Sequence, residues 1–120
     1  MATQDKCCSI EPCFKVKPGQ MVAFKKLCEQ FIEKTKTEQG CLYYGFAFDG
    51  DMAVCREGYV DGDAALTHLK NVGPLIQESL IISELVRLEI TGPEMELAKL
   101  RGPTAPFKPK FFVLECGIRK

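Results

Sequence analysis

Apolar and polar residues alternate along several segments of the chain, which is the pattern of β-strands. The first such segment is 9–17, where Ile10, Phe14 and Val16 share one side. Pro12 has no N–H to donate, so this strand is predicted to be either an edge strand or irregular at that point. The other predicted strands are residues 41–48, 52–60, 84–91 and 111–116.

An amphipathic helix is predicted over residues 20–38, because apolar residues recur there at intervals of three and four. Gly40 follows as the stop signal. Lysine and glutamate residues on the remaining sides are interpreted as a solvated face. The apolar stripe consists of Phe24, Leu27, Cys28, Phe31 and Ile32.

Strands 41–48 and 52–60 flank the turn Asp49-Gly50-Asp51 and are predicted to form a β-hairpin. In the second strand, Glu57 shares a face with Tyr59, whereas Arg56 points the other way. The first strand is apolar on both faces, so both should be covered. Its predicted faces are Leu42, Tyr44, Phe46 and Phe48 against Cys41, Tyr43, Gly45 and Ala47.

A second helix is predicted to begin at Asp61 and Asp63, since aspartate satisfies the free N–H groups of a first helical turn. It carries His68, the only histidine of the chain. Pro74 interrupts this helix and suits the first turn of another, which continues over residues 75–82.

The C-terminal part is predicted to be an addition to the core. A short helix over 94–100 is followed by residues 102–110, whose three prolines predict an irregular surface connection. A last short strand over 111–116 ends the chain.

The order of elements is β-α-β-β-α-β, which predicts an α+β, ferredoxin-like fold: an antiparallel four-stranded sheet with helices on one face. The other sheet face would expose more apolar surface than a monomer usually shows. We therefore predict a homodimer packed through the sheet faces.

Composition excludes several classes of function. Lys and Arg number 16, as do Asp and Glu, so no basic surface for nucleic acid is expected. No segment is apolar enough for a transmembrane helix, and the N-terminus is unlike a signal peptide. A cytoplasmic protein without membrane contact is expected.

The 7 cysteines contain no Cys-x-x-Cys pair, and with one histidine no metal site is predicted. They are interpreted as reduced, mostly buried thiols. Cys7 and Cys8, near the N-terminus, are predicted to be the most reactive. A thiol-based redox protein is the remaining alternative for this feature.

Several motifs resemble the antibiotic biosynthesis monooxygenase (ABM) family. These are Gly40-Cys41-Leu42-Tyr43 at a strand start, Glu57 two residues before Tyr59, the acidic helix start 61–65, and His68 nine residues after Tyr59. The resemblance covers roughly residues 8–92 and implies a dimeric α+β barrel. On this basis residues 1–120 form a single ABM-like domain, with an extension at 93–120.

The resemblance implies a small cofactor-independent monooxygenase that acts on an aromatic, phenolic or quinol-type substrate. Haem degradation, known in some members, is disfavoured because the chain has no tryptophan and no asparagine in its first strand. The alternative is a non-catalytic dimeric module that binds a small apolar or aromatic ligand. No cofactor is expected in either case.

Five residues are candidates for the site. His68 and Tyr59 are predicted to be catalytic, since histidine can take a phenolic proton near neutral pH. Tyr43, Tyr44 and Glu57 are predicted to bind substrate. The alternative roles are structural: a half-buried histidine, core tyrosines with hydroxyls at the sheet edge, and a cross-strand ion pair at Glu57.

Overall fold

The computed structural model describes residues 3–120, so residues 1 and 2 of the predicted domain lie outside the described part. Its strands are β1 (Cys8–Val16), β2 (Cys41–Asp49), β3 (Met52–Tyr59), β4 (Ser83–Gly92) and β5 (Lys110–Val113). They form one five-stranded sheet in the order β2-β3-β1-β4-β5.

Helices cover one face of this sheet. The cap of α2 (Gly62–Asn71) is as predicted, because the Asp61 carboxylate accepts a hydrogen bond of 2.8 Å from the Ala64 N–H. Pro74 lies in the first turn of α3 (Gly73–Ile82), also as predicted. The helices are α1 (Met21–Thr35), α2 (Gly62–Asn71), α3 (Gly73–Ile82) and α4 (Glu94–Thr104), and a 3₁₀ turn spans Ala105–Phe107.

The four strands β2-β3-β1-β4 are antiparallel, which confirms the α+β, ferredoxin-like prediction. β5 adds a parallel edge strand beside β4. β1 pairs on both sides, so the edge-strand alternative for it is wrong. The irregularity expected near Pro12 is present as a shift in the β1–β4 register between Cys13 and Phe14.

The register of β2 against β3 also shifts, between Cys41 and Tyr43. The extra residue breaks the alternation, so Cys41 packs among the core residues on the helix face, with Tyr59 and Ala65. The prediction that Cys41 shares a face with Tyr43 is therefore wrong. Beyond the bulge the predicted alternation holds, with Tyr44 and Phe46 facing the helices.

The C-terminal extension is more regular than predicted. α4 continues to Thr104 with Pro103 inside it, and a 3₁₀ turn follows. Leu97 and Leu100 are fully buried against the sheet, and this packing outweighs the hydrogen bond lost at a proline so close to the helix end. The predicted irregular connection over 102–110 is wrong for its first half.

All seven cysteines are free thiols. Cys8, predicted to be reactive, is fully buried in β1, and burial raises its pKa to about 12. Cys8 therefore packs as a small core residue. It is not expected to be reactive, because a protonated thiol is a poor nucleophile.

Candidate active site

A cavity of about 70 Å³ lies between the sheet and the helices. This is several times the space that one water molecule requires. Its wall is largely aromatic and aliphatic, with contributions from Phe14, Phe24, Phe31, Leu69, Leu88 and Phe107. Phe107 follows α4, so the C-terminal extension helps to close the cavity.

The polar side chains on the cavity wall fall into two groups. Ser79 and Thr104 donate their hydroxyls to backbone carbonyls at 2.7 and 2.6 Å, so their hydrogens are already engaged. The others are Tyr44, Cys55, Glu57 and His68. This second group is the candidate site.

His68 is held on one side by a carboxylate. Its Nδ1 lies 3.1 and 3.0 Å from the two carboxylate oxygens of Glu38, which follows α1 in the chain. We assign the hydrogen to Nδ1, because this contact pairs it with carboxylate oxygens, which accept hydrogen bonds. In the neutral ring, Nε2 then presents its lone pair to the opposite side.

Glu38 is itself fixed by Asn71, one helical turn after His68. The Asn71 amide donates to Glu38 Oε2 at 2.8 Å and to the Lys34 carbonyl at 3.1 Å. Both side chains of the Glu38–His68 pair are almost fully buried. α1 and α2 thus meet through a polar contact in which each donor has an acceptor.

Glu57 occupies the other side of the ring. Its Oε1 lies 3.4 Å from His68 Nε2 and accepts a hydrogen bond of 2.7 Å from the Tyr59 hydroxyl. Burial raises the pKa of Glu57 to about 7, against the opposing effect of the Tyr59 and Cys55 hydrogen bonds. Near neutral pH a substantial fraction of Glu57 is therefore a protonated acid.

Burial lowers the pKa of His68, and the nearby Glu38 charge opposes this only in part. Near neutrality a neutral imidazole therefore lies beside a carboxyl group that is in part protonated. A proton acceptor and a proton donor lie on one wall of an apolar cavity, which is the arrangement needed for general acid–base chemistry.

Two tyrosine rings enclose His68. The ring centroids of Tyr44 and Tyr59 lie 5.1 and 5.0 Å from that of the imidazole. Burial raises the pKa of both phenols, and the charge of Glu57 raises them further. Both hydroxyls therefore stay protonated and act as hydrogen-bond donors.

The structure brings four of the five predicted residues together. His68, Glu57 and Tyr44 line the cavity, and Tyr59 contacts Glu57 from behind the wall. Tyr43 lies on the opposite face of the sheet, because the side chains of neighbouring strand residues alternate. There its ring packs 4.6 Å from the guanidinium of Arg56.

Three residues of the site were missed. Glu38 lies in a charged stretch with no periodicity to mark it. Asn71 stands at the i+3 position from His68, a spacing that places both on one side of α2 and could have identified it. Cys55, two residues before Glu57, shares its strand face by the same alternation that identified Tyr59.

Within residues 3–120, no group of three or more His, Cys, Asp or Glu side chains is arranged to hold a metal ion. None of the helices in that range has both the length and the apolar character needed to cross a membrane. The cytoplasmic location stays a prediction.

The chain is 45% identical to MupZ from Pseudomonas fluorescens, with 96% of this chain and 95% of that chain covered and a TM-score of 0.90. A putative ABM from Nitrosomonas europaea is 16% identical, covers 77% of this chain and 94% of its own, and has a TM-score of 0.68. A putative ABM from Chloroflexus aurantiacus is 20% identical, with 72% and 92% covered and a TM-score of 0.61. No family model and no curated protein matches the chain.

Proposed function

Since the chain belongs to the ABM fold family, we propose that it is a small cofactor-independent monooxygenase acting on an aromatic, phenolic or quinol-type substrate. The observation that carries this proposal is the pair formed by Glu57 and His68 on the wall of an apolar cavity. His68 and Glu57 are the proposed catalytic residues. Tyr44 is proposed to bind the substrate, and Tyr59 to position Glu57.

In the proposed reaction, Nε2 of His68 takes the acidic proton of the substrate, and the electrons of the broken bond remain on the substrate. The anion is electron-rich and reacts with O₂. For an activated CH₂ group, one oxygen atom becomes the carbonyl oxygen and the other leaves as water with the two hydrogens. The apolar wall excludes water, which strengthens the interaction between the anion and the Tyr44 hydroxyl.

Oxygen uptake with a panel of anthrone-like and quinol-like compounds tests the proposal. We expect His68→Ala and Glu57→Gln to lower kcat by 10²-fold or more, the usual contribution of a general acid or base. Tyr44→Phe and Tyr43→Phe form a matched pair, since these neighbours lie on opposite faces of the sheet. Only the first should change turnover, and full activity in His68→Ala would contradict the mechanism.

A second candidate is an acid–base reaction without oxygen, such as an isomerisation. The specific observation in its favour is that an acid and a base are both already in place beside the cavity. Turnover of a substrate under argon, with deuterium from D₂O entering the product, would support this function over oxygenation. Saturable binding of apolar compounds without turnover in air or argon would favour the non-catalytic module.

We propose further that two copies pair through the sheet face turned away from the helices. Large apolar side chains lie exposed there: Tyr43 at 37%, Val86 at 44% and Phe112 at 44%. Charged neighbours such as Arg56 and Glu11 border them, as at a mixed protein interface. Sedimentation should detect a dimer, and a single-chain species at micromolar concentration would contradict the pairing.

A further inference from the structure

The buried Glu38–His68 contact separates two spaces of different character. On one side is the apolar cavity, which His68 lines. On the other is a polar surface groove between α2 and the loop that precedes β2, lined by Glu38 and Asn71 with Thr37, Gln39, Thr67 and Lys70. Within the described residues, no side chain lines both spaces.

A short series of contacts connects the two spaces. Glu57 Oε1 lies 3.4 Å from His68 Nε2, and Nδ1 on the far side of the same ring lies 3.0 Å from Glu38 Oε2. Each separation is within or near hydrogen-bond reach. Only two side chains, His68 and Glu38, therefore stand between a group on the cavity wall and a groove that opens to solvent.

We propose that Glu38 passes protons between His68 and the groove, so that the site exchanges protons with water without opening the apolar cavity. This inference rests on the proposed acid–base role of His68. Glu38 touches no substrate and is a positioning and proton-passing residue, with Asn71 as its support.

The transfer is balanced at each step. A proton from the cavity side forms a bond to the Nε2 lone pair. The Nδ1–H bond then breaks, its electrons stay in the ring, and the proton joins a Glu38 oxygen. Glu38 then releases the proton to water in the groove. In the reverse sequence a proton from water reaches Nδ1 through Glu38, the Nε2–H bond breaks, and its proton returns to the cavity side, which restores the starting tautomer.

The surroundings of His68 favour this route. The titratable groups around it are Glu57, Tyr44, Tyr59, Cys55 and Cys41 on the sheet side and Glu38 on the groove side. Burial raises the pKa of the two phenols and the two thiols, so all four stay protonated near neutral pH and cannot accept a proton from the ring. Lys70 borders the groove and Lys34 bonds the Asn71 carbonyl at 3.3 Å.

Exchange of the Nδ1 proton with water provides a test that needs no substrate. The chain has a single histidine, so ¹⁵N-histidine labelling yields one unambiguous set of ring signals. The variant Glu38→Gln keeps an oxygen that accepts the Nδ1–H bond but cannot take the proton. We expect the tautomer to be retained and the exchange rate to fall at least tenfold.

The control is Glu33→Gln. Glu33 is an exposed carboxylate on α1 whose partner is Lys36 at 2.9 Å, and it has no contact with His68. This variant should exchange like the wild type. Exchange in Glu38→Gln as fast as in the wild type, with the tautomer unchanged, would overturn the relay.

A second variant covers the case in which Glu38→Gln perturbs the fold. Glu38→Ala leaves a space that joins the groove, so added formate can enter and replace the lost carboxylate. Formate should restore Nδ1 proton exchange at least tenfold in this variant and leave Glu33→Gln unaffected. Absence of rescue in a folded variant would count against the relay, whether or not a substrate has been found.

Discussion

The two faces of the sheet use similar residues in opposite ways. On the helix-covered face, Glu57 and Tyr59 are almost fully buried and bonded to each other. On the open face, Arg56 and Tyr43 stack at 4.6 Å and remain partly in contact with solvent. Tyr43 and Tyr44 are neighbours in sequence, yet only Tyr44 reaches the cavity.

On the helix-covered face, burial changes the acidity of a side chain. Desolvation shifts the pKa of Glu57 to about 7, so that the carboxyl can act as an acid near neutrality. Arg56, a charged group on the open face, stays exposed to solvent. Variants at matched positions on the two faces can therefore separate the site from the scaffold.

The largest expected difference between the two faces is the loss of stability when a phenylalanine is truncated. Phe24, 2% exposed, contacts Phe14, Phe46 and Phe48 with ring centroids at 5.6, 6.5 and 6.4 Å. Phe24→Ala should lower the free energy of unfolding by about 3–5 kcal/mol, because a buried ring is replaced by a void. Urea denaturation followed by circular dichroism measures this.

The matched variant on the open face is Phe112→Ala. Its ring is 44% exposed, so truncation should cost less than about 1 kcal/mol in dilute solution. A larger cost that grows with protein concentration would show that a second copy covers this face. Equal losses in Phe24→Ala and Phe112→Ala at every concentration would contradict the contrast.

The next prediction concerns the pH dependence of stability. The pKa of Glu57 is raised in the folded chain, so the unfolded chain ionises this carboxyl more readily. The contribution of Glu57 to the free energy of unfolding should therefore be complete below its pKa in the unfolded chain, about 4.5, and be lost as pH rises through about 7, by about 3 kcal/mol in all. Glu57→Gln should remove this loss.

His68 affects the pH dependence of the free energy of unfolding with the opposite sign, over a neighbouring pH range. Its lowered pKa means that stability falls as pH drops below the ordinary value of 6.5. The effect of Glu57 is therefore isolated by subtracting the free energy of unfolding of Glu57→Gln from that of the wild type at each pH. Glu11→Gln, an exposed carboxylate of the open face, is the control, and a wild-type profile in Glu57→Gln would refute the assignment.

Much of the fold could be predicted because single residues carry the signals for it. Asp61 marked the start of α2, Pro74 that of α3, and the strand alternation placed Glu57 with Tyr59. Neither the bulge at the start of β2 nor the continuation of α4 past Pro103 could be predicted, because tertiary packing decides both. Glu38 was missed for a related reason: this loop carboxylate comes to lie against His68 only when α2 packs beside it.

The smallest expected effect lies within the open face. A Cβ at Gly58 would lie 2.2 Å from Cε2 of Tyr43, whose ring covers this glycine across the strands, whereas a Cβ at Gly45 would meet nothing within 4 Å. Gly58→Ala should therefore force the ring from its place over Arg56 and lower the free energy of unfolding by about 1 kcal/mol. Gly45→Ala should be neutral or slightly stabilising, because it restricts the unfolded chain at no steric cost.

Adding Tyr43→Ala to Gly58→Ala should remove the clash, and a double-mutant cycle of thermal unfolding measures the coupling. Additive effects would mean that the ring does not lie on Gly58, and any loss of turnover in Gly58→Ala would show that the open face is linked to the site after all.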